Sequence, residues 1–149
     1  MVPEKAKERE KQINRLQQNL STIRRIAGWT TEQMGEKIGV TKQTISNLEN
    51  GKTPMNFTQY IAIRAILDCE IEANTSNEVL PKAVDILLDS NEEEYMKYRE
   101  PLTIVAASAA GGIASAALLG IFSTLIPVAG LGIAGGIVAA SWLKNILKK

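Results

Sequence analysis

The sequence predicts an all-α protein with three parts: a polar helical domain at residues 1–73, an acidic helical connector at 74–101 and an apolar helical hairpin at 102–149. Apolar residues recur every three or four positions through the first two parts, which is the spacing of an amphipathic helix. The three parts also differ in formal charge, at +2, −4 and +3. Finally, the 43 residues from 101 to 143 contain no ionisable side chain and hold 7 of the 11 glycines.

Composition excludes several classes of function. The chain has no histidine, and Cys69 is its only cysteine. These counts exclude histidine-based catalytic triads, the usual Cys/His zinc sites and an intrachain disulfide. An enzyme would have to work with carboxylates, lysines or hydroxyls alone. We expect no enzyme activity, no metal ion and no cofactor. Because residues 1–11 are mostly charged, we also expect no secretory signal and a cytosolic N-terminus.

The first helix is predicted by five apolar residues at helical spacing, after which Gly28 provides the left-handed residue that commonly ends a helix. These five residues are Ile13, Leu16, Leu20, Ile23 and Ala27. The charged residues 4–11 before them are expected to form an exposed, fraying extension of this helix.

Two short helices follow, each predicted from a threonine cap and a terminating glycine. The first covers residues 32–38, and the second begins after residue 41 with Ile45 and Leu48 facing the core. The caps are Thr30 or Thr31 and then Thr41, and the glycines are Gly39 and Gly51. Three amphipathic helices joined by glycine turns predict a helix-turn-helix unit.

Three motifs and one further helix carry a family resemblance. They are Ile26-Ala-Gly-Trp-Thr30, Met34-Gly-Glu-Lys-Ile-Gly-Val40, Thr44-Ile-Ser-Asn-Leu-Glu-Asn-Gly-Lys-Thr53 and the core helix Tyr60–Leu67. Residues 20–68 resemble the Cro and phage-repressor class of helix-turn-helix domains, the XRE family. The resemblance implies a five-helix lambda-repressor-like domain that binds DNA. Two residues depart from the family pattern, since Gly35 replaces a usual Ala and Thr31 a frequent Gln.

A recognition helix fits the major groove and reads base edges with the outward side chains near its N-terminus. The side chains expected to read bases are Lys42, Gln43, Thr44 and Asn47. Gln43 and Asn47 can each make paired hydrogen bonds with adenine. Lys42 can donate to guanine, and the methyl group of Thr44 can pack on a thymine methyl. The alternative is a polar face that only contacts solvent.

Other polar residues are expected to position the domain without reading sequence. The candidates for phosphate contact are Thr30, Thr41, Asn50 and Lys52, with helix capping an equally good role for the two threonines. In the family, a structural ion pair typically joins the first helix to the end of the recognition helix. The resemblance carries this role to Arg24 and Glu49.

The connector is predicted to contain two helices. Residues 77–88 place apolar side chains at helical spacing, with Pro81 tolerated in the first turn. These side chains are Val79, Leu80, Val84, Leu87 and Leu88. Residues 91–99 indicate a second, acidic helix, which DNA would repel. The connector is one candidate for the surface that joins a dimer, since the family ordinarily binds two half-sites about 34–36 Å apart.

The apolar stretch is predicted to form two membrane-spanning legs. A span needs about 20 apolar residues, and Pro127–Gly130 offers a turn between residues 102–126 and a shorter leg at 128–143. Basic residues flank both ends, so that a hairpin keeps all of them in the cytosol. They are Lys97, Arg99, Lys144, Lys148 and Lys149.

Small residues recur every four positions in both legs, which lets helices approach closely in lipid. They are Ser108, Gly112, Ala116 and Gly120 in the first leg, and Gly132, Gly136 and Ala140 in the second. Legs rich in Gly and Ala insert less favourably than leucine-rich ones. A water-soluble oligomer built on a buried hairpin is therefore the alternative.

The leading hypothesis is a repressor-like, sequence-specific DNA-binding regulator, anchored by the hairpin to the cytoplasmic side of the cell membrane. Its expected partners are a palindromic double-stranded DNA operator, further copies of itself in a homodimer or higher oligomer, and the lipid bilayer through residues 102–143. One alternative is a soluble, cytoplasmic repressor whose tail drives oligomerisation. Another is a membrane-active small protein whose DNA-binding domain controls its own expression.

Overall fold

The computed structural model describes residues 3–108, and every regular element within them is helical. This confirms the predicted all-α class for that part of the chain. The helices are α1 (Glu4–Ala27), α2 (Thr31–Ile38), α3 (Lys42–Glu49), α4 (Phe57–Ala73), α5 (Val79–Val84), which continues as a π-helical turn at Asp85–Asp89, and α6 (Glu92–Ser108). Residues 3–73 hold four helices rather than five, and α5 supplies the fifth.

Helix ends in the first part follow from local hydrogen bonds. Thr30, rather than Thr31, caps α2, because its hydroxyl accepts from the Gln33 amide at 3.0 Å while the Gln33 side chain accepts from the Thr30 amide at 2.9 Å. Gly28 ends α1 with a φ of +83°, a left-handed conformation that costs glycine little. The end of α1 and the start of α2 therefore lie where the sequence predicts them.

The charged segment 4–11 is the first part of the continuous helix α1, and its side chains are exposed. A contact with α4 holds this end of the helix, because the guanidinium carbon of Arg9 lies 4.1 Å from the ring centre of Phe57. A cation above an aromatic face is attracted by the negative charge density of the ring. The extension is thus packed against the domain at one point.

The described helices share one hydrophobic core. Its fully buried side chains come from α1, α2, α3 and α4 and equally from the segment after residue 78. Among them are Leu16, Leu20, Ile23, Met34, Ile45, Ile63, Leu67, Leu80, Leu87, Leu102 and Val105. The predicted boundary between residues 73 and 74 therefore lies inside one continuous core. The connector is acidic on its surface, but its apolar face packs on α1.

Several polar contacts attach the connector to the helices before it, and three of them come from Asn77, Arg64 and Arg15. The Asn77 side chain donates to the Ile26 carbonyl oxygen at 2.9 Å. Arg64, which is almost fully buried, binds both carboxylate oxygens of Asp89 at 3.2 and 3.1 Å. Arg15 donates to the Glu92 carboxylate at 2.9 Å. Since buried polar groups are costly when unpaired, these contacts specify one docking position for the connector.

The Asp85 carboxyl, in the π-helical turn, lies in surroundings that disfavour its charged form. Burial raises the pKa of the Asp85 carboxyl, and the nearby carboxylates of Asp89 and Glu94 raise it further. A carboxyl whose folded-state pKa is raised favours the folded state in its protonated form. Its ionisation therefore costs stability at neutral pH, and this cost disappears as the pH falls below the unfolded-state pKa of about 4.

We expect Asp85→Asn to raise the thermal unfolding midpoint at neutral pH, because the amide removes the ionisation cost. The gain should shrink as the pH falls through the raised pKa and then toward about 4. Thermal unfolding, followed by circular dichroism at neutral pH and at about pH 4, measures this gain. Glu93→Gln, at an exposed position in α6, is the matched control and should change the midpoint little. A midpoint that is lowered at neutral pH would contradict this account of Asp85.

Helix α6 continues through Pro101 to Ser108. Leu102, Val105 and Ala106 are buried in the core, so the first residues of the predicted apolar hairpin belong to the described fold. The assignment of residue 102 as the start of a lipid-facing leg is corrected accordingly, because this turn of α6 packs on protein. Among the described residues, no helix has both the length and the apolar character required to cross a membrane.

The predicted small-residue pattern lies almost entirely outside the described residues. Ser108 is the last residue of α6. The others, Gly112, Ala116, Gly120, Gly132, Gly136 and Ala140, fall beyond residue 108. The predicted hairpin and its packing grooves therefore stay predictions.

Candidate nucleic-acid interface

Helices α2 and α3 pack closely because Gly35 has no side chain. A Cβ atom at this position would lie 2.6 Å from the Val40 carbonyl oxygen, which is closer than van der Waals contact allows. The Val40 amide also donates to the Gly35 carbonyl oxygen at 2.9 Å, which closes the turn between the two helices. Gly35 thus sets the distance between α2 and the N-terminus of α3.

We expect Gly35→Ala to lower the free energy of unfolding by about 1 kcal/mol. Alanine gains about 1 kcal/mol of helix propensity over glycine, but its methyl group meets a backbone oxygen, and overpacking typically costs about 1–3 kcal/mol. Urea denaturation measures the difference, with the exposed substitution Glu36→Ala in the same helix as the control. A higher free energy of unfolding for Gly35→Ala would contradict this expectation, because the turn between α2 and α3 would then accommodate the methyl group without cost.

The predicted base-reading residues lie on α3, on the side opposite its buried residues. Lys42 and Gln43 are exposed, while Thr44 and Asn47 are half-buried. On the other side of the same helix, Ile45 and Leu48 are buried in the core. This division leaves a polar surface of about one helix face available to a partner. We call this surface, formed by Lys42, Gln43, Thr44 and Asn47, the reading face.

Two amides of the reading face are joined to each other. The Gln43 Nε2 group donates to Asn47 Oδ1 at 3.0 Å, across one turn of α3. The Gln43 carbonyl oxygen and its second N–H remain available, and adenine presents the matching donor and acceptor in the major groove. Asn47 in this arrangement orients the Gln43 amide and reduces its rotational freedom.

The hydroxyl of Thr44 is engaged within the helix. It lies 3.1 Å from the hydroxyl of Thr41, which also accepts the Thr44 amide at 3.2 Å and caps the N-terminus of α3. Because the hydroxyl has this local partner, the methyl group is the part of Thr44 suited to contact a base, as the predicted thymine contact requires.

The predicted phosphate-contacting residues lie at helix ends. Thr30 caps α2 and Thr41 caps α3, so both threonines perform the capping role that the sequence offered as an alternative. Asn50 directly follows α3, where its side chain donates to the Ser46 hydroxyl at 3.3 Å, and Lys52 is exposed just beyond it. Helix N-termini and flexible cations are the groups that bind phosphate.

The Arg24–Glu49 ion pair joins α1 to the last residue of α3. Arg24 Nε and Nη2 donate to the two carboxylate oxygens of Glu49 at 2.6 and 3.2 Å, and both side chains are only 11% exposed. The third contact, from Arg24 Nη1 to the Trp29 carbonyl oxygen at 2.8 Å, reaches the turn before α2. One guanidinium thereby links the three helices that orient the reading face.

Sequence reasoning missed a second residue that supports this surface. Gln17 of α1 makes three hydrogen bonds to the main chain at and after the end of α3. The sequence did contain one signal. Gln17 directly follows Leu16 and lies next to the apolar stripe of α1, where a polar side chain can contact the rest of the domain instead of solvent. Sequence reasoning also missed Arg15 and Arg64, the two arginines that hold the connector.

Comparison with known proteins agrees with this geometry. Residues 15–74 match a family model described as helix-turn-helix. No curated protein and no solved structure matches the chain. The match covers α2, α3, α4 and most of α1, and it confirms the resemblance predicted from the sequence.

Proposed function

We propose that this chain, whose residues 15–74 match a family model described as helix-turn-helix, is a sequence-specific, DNA-binding transcription regulator of the repressor type. The observation that carries the proposal is the reading face. Four polar side chains of types that recognise bases occupy one side of α3, while the other side is fully buried. A polar helix face held rigidly by its own core is what insertion into a major groove requires.

The proposed base recognition assigns different partners to different side chains. Gln43, oriented by Asn47, pairs with adenine, and Lys42 donates to the guanine acceptors. Each good bidentate contact discriminates against a wrong base by about 1–3 kcal/mol. Thr30, Thr41, Asn50 and Lys52 contribute sequence-independent phosphate contacts from both ends of the motif.

The proposed active species is a homodimer or a higher oligomer. Residues 1–73 have a formal charge of only +2, which limits the electrostatic attraction of one domain to DNA. Two linked domains on half-sites about 34–36 Å apart would compensate for this weak attraction. The operator is then expected to be palindromic.

Selection of duplexes from a random library by the full-length chain tests this proposal. The enriched sequences should contain two inverted half-sites whose centres are about 10 base pairs apart. Gel-shift titration should then show tighter binding to the enriched duplex than to a scrambled one at the same salt concentration. Binding without any enriched motif would contradict a sequence-specific regulator, although not a DNA-binding protein.

The apolar segment is proposed to anchor the protein at the cytoplasmic side of the membrane. Because α6 uses residues up to 106 in the core, the membrane segment would begin after Ser108. The uncharged residues from 109 to 143 number 35, slightly fewer than two full spans need. The second leg would therefore extend toward Leu147, with Lys144 reaching back to the interface.

Extraction of the full-length protein from cell membranes tests the anchor. An integral hairpin should remain with the membranes in high salt and in carbonate and be released by detergent. Protein that appears in the soluble fraction as an oligomer would support the alternative, in which the apolar segment forms the centre of a water-soluble assembly. Neither result changes the proposal for the reading face, which lies in a different part of the chain.

A further inference from the structure

The segment between α3 and α4, residues 50–56, is tied to α1 by one side chain. Gln17 Nε2 donates to the carbonyl oxygens of Leu48 and Thr53 at 3.1 and 2.7 Å. Gln17 Oε1 accepts from the Met55 amide at 2.9 Å. We call this segment the α3–α4 loop. Both polar ends of the Gln17 amide are thus bonded to main-chain groups at or beside this loop.

These bonds hold parts of the chain that lack regular partners. The exception is Leu48, in the last turn of α3, whose carbonyl oxygen also accepts the Gly51 amide at 3.2 Å. Thr53 and Met55 lie on either side of Pro54, which has no N–H to donate and interrupts any regular pattern. The half-buried Gln17 amide therefore supplies hydrogen bonds to the Thr53 carbonyl oxygen and the Met55 amide, where no regular secondary structure does so.

The α3–α4 loop also carries two of the residues assigned to phosphate contact. Asn50 and Lys52 are exposed, and the Lys52 amide donates to the Asn47 carbonyl oxygen at 2.9 Å, which connects the start of the loop to the reading face. Gln17 holds the loop at Leu48 before these two residues and at Thr53 after them. It therefore spans the part of the chain from which Asn50 and Lys52 project.

We propose that Gln17 is a positioning residue for DNA binding: it holds the α3–α4 loop against α1 so that Asn50 and Lys52 reach the phosphate backbone. This inference rests on the proposed function, because it assumes that these two residues contact DNA. Gln17 itself does not contact a base. It sets the affinity that all sequences share and leaves the preference of the reading face unchanged.

A general role in stability would give a different result from a positioning role. Loss of stability alone lowers the folded fraction and leaves the salt dependence of binding by the folded molecules unchanged. Loss of one lysine–phosphate contact lowers the slope of log affinity against log salt by about one. The slope therefore distinguishes the two roles.

The test compares the full-length chain with Gln17→Ala, Lys52→Ala and the double variant in gel-shift titrations of a random-sequence duplex across a salt series. Each single variant should lose on the order of tenfold in affinity at low salt, as expected for one charge-assisted contact. Each should also lower the slope by about one. The double variant should lower the slope no further, because both changes remove the same contact.

Gln18→Ala is the matched control, since Gln18 is the exposed neighbour of Gln17 on α1. It should keep the wild-type slope. A wild-type slope for Gln17→Ala, with a lowered slope for Lys52→Ala, would overturn this inference and leave the proposed function intact. A wild-type chain that binds no duplex even at low salt would overturn both.

Amide hydrogen exchange without DNA tests the physical basis separately. The Met55 amide should exchange faster in Gln17→Ala than in the wild-type chain and in Gln18→Ala, because its acceptor is removed. Unchanged protection of Met55 would show that Gln17 does not hold the loop in solution and would overturn the inference by itself. This measurement also reports whether the variant is folded.

Discussion

Glu49→Ala is expected to lower the free energy of unfolding by about 3 kcal/mol. The substitution leaves the Arg24 guanidinium in a site that is only 11% exposed, with the Trp29 carbonyl oxygen as its remaining partner. Breaking a buried ion pair from one side typically costs about 3–5 kcal/mol. The small remaining exposure of this pair favours the lower end of that range.

Urea denaturation of the full-length chain measures this loss. Glu32→Ala, at an exposed position in the first turn of α2, removes the same charge without a buried partner and should cost well under 1 kcal/mol. Replacement of both partners by apolar residues of similar size, Arg24→Met with Glu49→Leu, should recover much of the loss, because no charge is then left unpaired. If Glu49→Ala and the control have equal effects, the pair is not structural.

The double substitution Gln43→Ala with Asn47→Ala is expected to remove most of the operator preference. The amide that pairs with adenine and the amide that orients it are both lost, and a good bidentate contact is worth about 1–3 kcal/mol of discrimination. Phosphate contacts from the helix ends remain, so binding should persist in a weaker form that depends strongly on salt. The folded state should be little affected, since neither side chain belongs to the core.

Gel-shift titrations of the selected operator and of a scrambled duplex, at one salt concentration, measure the ratio of the two affinities. That ratio should fall by about tenfold or more in the double variant, which corresponds to the loss of one good bidentate contact. Gln18→Ala, which changes an amide on α1, should keep the wild-type ratio. A preference that is unchanged by the loss of both amides would place base recognition on another surface.

The sequence predicted the local structure of the helix-turn-helix part well, because that information is local. A cap such as Thr41 and a left-handed glycine such as Gly28 act within one helical turn. The burial of Ile45 and Leu48 follows from spacing along a single helix. The ion pair between Arg24 and Glu49 was inferred through the family resemblance, since 25 residues separate the two charges.

The acidic composition of residues 74–101 did not indicate how this segment packs. Seven acidic residues made segment 74–101 look like a separate connector. In the structure, Asp89 and Glu92 pair with Arg64 and Arg15 of the preceding helices. Charge counted along the chain cannot show whether an acidic residue faces solvent or a buried arginine, because the partner lies 25 to 77 residues away.

By itself, the sequence determined the helical class of the described residues and the helix ends around the turn of the motif. Only the tertiary structure decided that α5 and α6 complete the core of this domain, that Gly35 has no room for a side chain, and that Gln17 ties the α3–α4 loop to α1. The reason is physical: caps and periodicity depend on neighbours within a few residues. Packing and buried hydrogen bonds depend on atoms that come together only when distant segments fold against each other.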